Sequence, residues 1–179
     1  MNRHSRFCDR CGHALPPGPE WPKKCYGCPA TVYPNPIPIG VALVPLYDKD
    51  STIPEGLLVG KRNHEPKFGE WGLPGGYQND TERGETTLEA AVRELFEETG
   101  LRLSASYFRH HMEFANAAQC QTLTFYQYIG PHVIVGRDIK LGPTTWSDEC
   151  TALKTWRGED DLCFDSHTQA ARLWLSYYG

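Results

Sequence analysis

The 179 residues, 40% hydrophobic and 22% charged, suffice for one medium-sized globular domain and a small module. A formal net charge of -4 gives no basis for broad binding to nucleic acid or an anionic membrane. No apolar run approaches the length of a membrane span, and residues 1–7 are too short and too polar for a secretion signal. The cysteines number seven, and four of them fall in pairs at two-residue spacing. That pattern argues for a metal in a reducing compartment over disulfides, with the cytoplasm as the expected location.

In chain order, the first unit is expected over residues 1–36. Cys8 and Cys11, then Cys25 and Cys28, make two Cys-x-x-Cys knuckles that can supply four thiolates to a tetrahedral zinc ion. So short a segment cannot bury enough apolar surface by itself, and the metal would be its main staple. The alternatives are free thiols or two disulfides; His13 is a lesser alternative ligand. Four cysteines close the shell, which suits a structural ion. Arg3, Arg6, Arg10, Lys23 and Lys24, with Trp21 and Tyr26, could form a weak contact surface, but the basic run is short. Packing or dimer stabilisation is favoured over nucleic-acid binding. Residues 31–38 are proline-rich and read as an extended connector.

The second domain is expected over residues 37–179. Residues 40–44 read as a buried strand and residues 57–62 as its partner, with a turn at residues 48–51. Trp71 suits either a core position or the wall of a pocket. A helix is predicted after Thr86, because Thr86 and Glu89 form a capping box and Gly100 is placed for a left-handed stop. Leu88, Ala91, Val92, Leu95 and Phe96 give it one apolar face. Glu94, Glu97 and Glu98 stand at i, i+3 and i+4, so three like charges crowd one side. A divalent cation such as Mg²⁺ offsets that repulsion well, and a solvated acidic face is the plain alternative. Strands are predicted over residues 105–114, 122–129 and 152–156. A terminal amphipathic helix is predicted over residues 166–178, with Ala170, Leu173, Trp174 and Tyr177 on one side.

The run Glu85, seven residues, then Arg93-Glu94-Leu95-Phe96-Glu97-Glu98-Thr99-Gly100-Leu101 resembles the Nudix box at every specified position from Glu85 onward. It departs before Glu85, where eight residues follow Gly76 in place of five. The resemblance implies an α+β protein, an α/β/α sandwich with a mixed sheet, here preceded by a zinc ribbon. It also implies Mg²⁺- or Mn²⁺-dependent hydrolysis of a nucleoside diphosphate linked to another moiety. On that resemblance Glu94 and Glu98 are metal ligands, joined by the Gly75 carbonyl. Glu97 contributes through a water or as a base, Arg93 orients the glutamates, and Glu85 braces the loop or a second ion. Arg62 is either a phosphate contact or a surface arginine. Glu149 is the best downstream base, with Asp148 and Glu113 weaker candidates. Zinc ribbon plus Nudix domain is the architecture of NADH pyrophosphatases, but their proline-rich run after the box is missing. The ribbon, the Tyr33–Pro36 link and the spacing to Glu149-Cys150 are similar to plant-type FAD and ADP-ribose pyrophosphatases and their bacterial relatives. Nucleoside triphosphate hydrolysis and a non-catalytic nucleotide sensor are the other readings. A homodimer is expected from the family, and no membrane association.

Overall fold

The computed structural model describes residues 6–33, 35–79 and 84–178. Residues 80–83 of the lengthened glycine loop, with Arg3 and Pro34, lie outside the described residues. The chain forms two compact units, residues 1–37 with 115–122, and residues 38–114 with 123–179.

In the first unit, strands β1 (Lys23–Lys24) and β2 (Thr31–Val32) pair antiparallel. The expected connector therefore begins inside the ribbon, because Thr31 and Val32 are consumed by that pair. Cys8, Leu15 and Val32 are buried together, with Trp21 and Ala30 packed against them. So small a core provides little burial energy, which leaves the cysteine cluster as the principal constraint.

The second unit is a sandwich. Its strands are β3 (Ile37–Leu43), β4 (Pro45–Tyr47), β5 (Gly56–Arg62), β6 (Trp71–Gly72) and β7 (Gly75–Tyr77). After helix α1 (Thr87–Thr99) come β8 (Phe108–Asn116), β9 (Gln121–Tyr128), β10 (Val133–Ile134), β11 (Gly142–Pro143), β12 (Cys150–Trp156) and helix α2 (Asp165–Tyr178). One sheet has the order β10-β4-β5-β12-β11, with β6 added on β5, and the other β7-β3-β9-β8. The pairs β4–β5 and β5–β12 are antiparallel, whereas β10 runs parallel to β4, so the first sheet is mixed. Alternation along β3 and β5 distributes side chains to two cores. Ala42 and Leu58 pack with Ala91 and Leu95 of α1 on one side. Val41, Leu43, Leu57 and Val59 pack with Ala170, Ala171 and Trp174 of α2 on the other. Truncating a fully buried anchor such as Trp156 or Trp174 to alanine costs about 3–5 kcal/mol.

Helix α1 starts and stops where the sequence places it. Thr86 accepts from the Glu89 N–H, Glu89 reaches back to the Thr86 N–H, and Gly100 adopts φ 74°. Gly40 lets it approach β3, since a Cβ there would collide with the Thr87 carbonyl. Three expectations need correction. Residues 105–107 form a 3-10 turn, and the strand starts only at Phe108. The predicted strand over residues 40–44 is part of a longer β3, followed separately by β4. On α2, Leu173 and Tyr177 are exposed, at 37% and 70%, while His167, Ala170, Ala171 and Trp174 face inward. The inward face keeps Ala170 and Trp174 of the predicted set and adds His167 and Ala171, a rotation about the helix axis.

Candidate active site

Three carboxylates converge beside α1. Oxygen atoms of Glu94, Glu98 and Glu149 all lie within 4.8 Å of one another. Glu94 and Glu98 share the α1 face that leans over β7. Gly76 lies beneath Glu94, and a Cβ there would force the Glu94 carboxyl group to shift. Glu149 arrives from the segment before β12, where Cys150 pairs with Arg62 at the end of β5.

Burial shifts the two helix carboxyls of this cluster. It raises the Glu98 carboxyl to about 8, helped by the nearby Glu94 and Glu149 charges and opposed by Arg62 and the Gly75 backbone. Glu94 is also raised, chiefly by burial, against the pull of Arg93. An ionised carboxylate is a poor resident of so dry a site unless a positive charge joins it, and a cation bound there would reverse the shift. Oxygen-only donors in this number suit Mg²⁺ or Mn²⁺ better than zinc.

Arg93 organises the rim. Its Nε donates to Glu85 Oε1 at 2.8 Å, and its Nη1 to Glu94 Oε1 at 2.7 Å and Glu97 Oε2 at 2.8 Å. Nη2 donates to the Tyr77 carbonyl at 2.9 Å and to Glu85 Oε2 at 3.2 Å. One guanidinium thus ties the helix to the strand and loop leading into it. Glu85 also accepts from the Asn79 N–H at 2.7 Å, and Arg93 holds its carboxyl below the usual range. Both Glu85 oxygens are therefore engaged away from the carboxylate cluster. Glu97 is 52% exposed and meets Arg93 outside the cluster.

Arg62, His64, Leu73, Glu98, Glu149 and Cys150 line a cleft. Arg62 is fixed within it: Nε donates to the Pro66 carbonyl at 2.9 Å, Nη2 lies 2.8 Å from His64 Nε2, and the guanidinium sits 5.2 Å over the Phe164 ring. Trp71 is partly buried against the α2-side core, with Lys154 Nζ 5.0 Å over its ring. Glu113 stands on β8, 63% exposed, 3.8 Å from His110 and outside the carboxylate group. Asp148 uses its carbonyl to accept from the Asn63 amide at 2.8 Å.

Two supporting residues carry no sequence signal. His167 Nδ1 accepts from the Leu73 N–H at 3.1 Å and so anchors the segment entering Gly75. Burial, with Arg62 nearby, pushes this histidine down to about 3 and keeps it neutral. Asn63 reads as a generic polar residue after a strand, although it bonds to the Glu149 segment.

In the first unit, the sulfur atoms of Cys8, Cys11, Cys25 and Cys28 all lie within 4.8 Å of one another. Cys8–Cys28 and Cys11–Cys25 are 3.7 and 3.6 Å apart. A disulfide needs about 2.05 Å. Tetrahedral Zn–S bonds of about 2.3 Å place sulfurs roughly 3.8 Å apart, so the spacing suits zinc. His13 is not in the cluster; its side chain packs against Gly27.

Two sheets between two helices, with an acidic helix face that Arg93 ties to strand β7, define the class. Residues 36–177 match the NUDIX domain model, and the chain belongs to that family. It is 33% identical over 99 residues to the NAD-capped RNA hydrolase NudC of Edwardsiella ictaluri (strain 93-146), covering 55% of this chain and 34% of that protein. The chain thus spans about a third of the length of that curated relative. Among solved structures, a NUDIX hydrolase from Nitrosomonas europaea superposes with TM-score 0.64 and 21% identity, over 98% of this chain and 94% of that one. The NUDIX domain of Shewanella oneidensis NrtR, complexed with ADP ribose, superposes with TM-score 0.58 and 19% identity, over 80% and 89%. Both likenesses establish the fold. Among the described residues, no helix is long and apolar enough to cross a membrane.

Proposed function

We propose that this chain is a pyrophosphohydrolase dependent on Mg²⁺ or Mn²⁺, acting on a nucleoside diphosphate linked to a second moiety, with FAD or ADP-ribose preferred. The observation that carries the reading is the meeting of Glu94, Glu98 and Glu149 within 4.8 Å on a complete acidic box. Glu94 and Glu98 would hold the ion together with the Gly75 carbonyl. Bound there, a divalent ion neutralises phosphate charge and acidifies water. Arg93 keeps Glu94 aimed into the site and presents Glu97 at its rim as a further contributor. Glu85 braces the loop through Arg93. Glu149 reaches the same carboxylate cluster from a different segment and is assigned there as a further contact to the ion and as general base. Arg62, held by three contacts, receives a substrate phosphate. Trp71, with Lys154 over its ring, is assigned to packing rather than base stacking.

The ribbon cysteines hold a structural zinc ion in this reading, and a reducing, cytoplasmic setting keeps them available. A homodimer goes with the family expectation. A second reading, cleavage of an NAD-type dinucleotide, is favoured by the 33% identity to the NudC protein. The test is a product assay with Mg²⁺ or Mn²⁺ over FAD, ADP-ribose, NADH and nucleoside triphosphates. Cleavage of FAD or ADP-ribose above the others is the expected result. Preference for NADH selects the second reading, and inactivity on every substrate refutes hydrolysis.

A further inference from the structure

Glu149 poses a geometric problem. It lies in an exposed segment, yet its carboxylate sits within 4.8 Å of two carboxylates on helix α1. The Glu94 and Glu149 carboxylates repel at that separation whenever both are ionised, so something must hold the segment in place. Two anchors do so. On one side, the Asn63 N–H donates to the Glu149 carbonyl at 2.9 Å, and the Asn63 side-chain amide donates to the Asp148 carbonyl at 2.8 Å. On the other side, Trp146 Nε1 donates to the Phe96 carbonyl at 3.0 Å, one of the carbonyls in the last turn of α1. The Trp146 ring meets the Phe96 ring edge-on at 5.6 Å and lies against Gly100. Within the segment, Ser147 Oγ accepts from the Glu149 N–H at 3.0 Å.

We propose that Asn63 and Trp146 are positioning residues that clamp the 146–149 segment to β5 and to α1, and thereby hold Glu149 in the divalent-metal site. The inference rests on the metal-site reading above. Asn63 is well placed for the task. It follows Arg62 directly, so one turn at the end of β5 presents the cleft arginine and fastens the opposing carboxylate. Trp146 ties the same segment to the helix that carries Glu94 and Glu98. The three carboxylates are thus referred to one frame through separate contacts.

The experiment is a double-mutant cycle on the full chain, read by Mn²⁺ binding (electron paramagnetic resonance of the free ion) as well as by hydrolysis. Asn63→Asp keeps the shape but replaces the donor amide with an acceptor facing the Asp148 carbonyl. It should weaken Mn²⁺ binding by about tenfold, the effect usual for a lost supporting hydrogen bond. Trp146→Phe keeps a ring but removes the bond to Phe96 and should weaken it in the same direction. In a Glu149→Gln background, Asn63→Asp should change Mn²⁺ affinity no further. Circular dichroism and melting temperature of each variant separate loss of the clamp from loss of the fold. If Asn63→Asp binds Mn²⁺ as the parent does, or if its effect persists in full beside Glu149→Gln, the clamp is refuted. If the parent protein itself binds no Mn²⁺, the metal-site reading fails instead.

Discussion

Replacing Glu98 with glutamine should make the metal-free protein more stable and the enzyme inactive, a pairing that follows from one buried charge. Folding raises the Glu98 pKa from 4.5 to about 8, first through burial and then through Glu94 and Glu149. The folded state therefore binds the proton more tightly than the unfolded one. The stabilisation is fully present below pH 4.5 and is lost as pH rises through 8. His167 slopes the other way below 6.5, so the clean window lies above that value. Between pH 6.5 and 8 the parent should lose roughly 2 kcal/mol relative to Glu98→Gln, at ~1.4 kcal/mol per pH unit. Above pH 8 the total advantage of the variant should be on the order of 3–5 kcal/mol. Urea denaturation at pH 6.5, 7.25 and 8.5, without Mg²⁺ or Mn²⁺, reads this difference directly. Adding Mg²⁺ at about a hundred times its Kd should then stabilise the parent by about 2.7 kcal/mol and the variant far less. Hydrolysis by the variant should fall roughly a hundredfold or more. Parallel pH slopes for the two proteins, or equal stabilisation by Mg²⁺, would refute the argument.

Gly76→Ala should displace the Glu94 carboxyl and weaken Mn²⁺ binding by about tenfold, measured by titration, while the melting temperature changes much less. Because His167 is held neutral, with its pKa lowered from 6.5 to about 3, stability is present above pH 6.5 and lost as pH falls toward 3. The difference in urea midpoint between the parent and His167→Gln should be constant above pH 6.5 and should change as pH falls across that window. Cys25→Ser should release zinc, detected by a chromogenic chelator. It should also unfold residues 6–33, detected by hydrogen exchange, while the acidic cluster in the other unit persists.

Much of this protein is readable along the chain because the relevant physics is local. Thr86, Glu89 and Gly100 satisfy the ends of one helix within a turn of where they stand, so their spacing alone declared α1. Glu94, Glu97 and Glu98 share a face by helical period, and the paired cysteines reach one another through short knuckles. Each statement needs only the geometry of a single element. The tertiary structure divided those glutamates: Glu94 and Glu98 turned into the cluster, and Glu97 went out to Arg93. It also brought in Glu149 from a remote segment and aligned it through Asn63 and Trp146. His167 meets the Leu73 N–H across 94 residues of chain, and no periodicity encodes such a pairing. The same contact explains why α2 buries a histidine and exposes Tyr177. Periodicity states which side chains share a face, but only packing decides which partner that face meets. A buried backbone N–H that needs an acceptor can outweigh the apolarity of a tyrosine whose ring tolerates water.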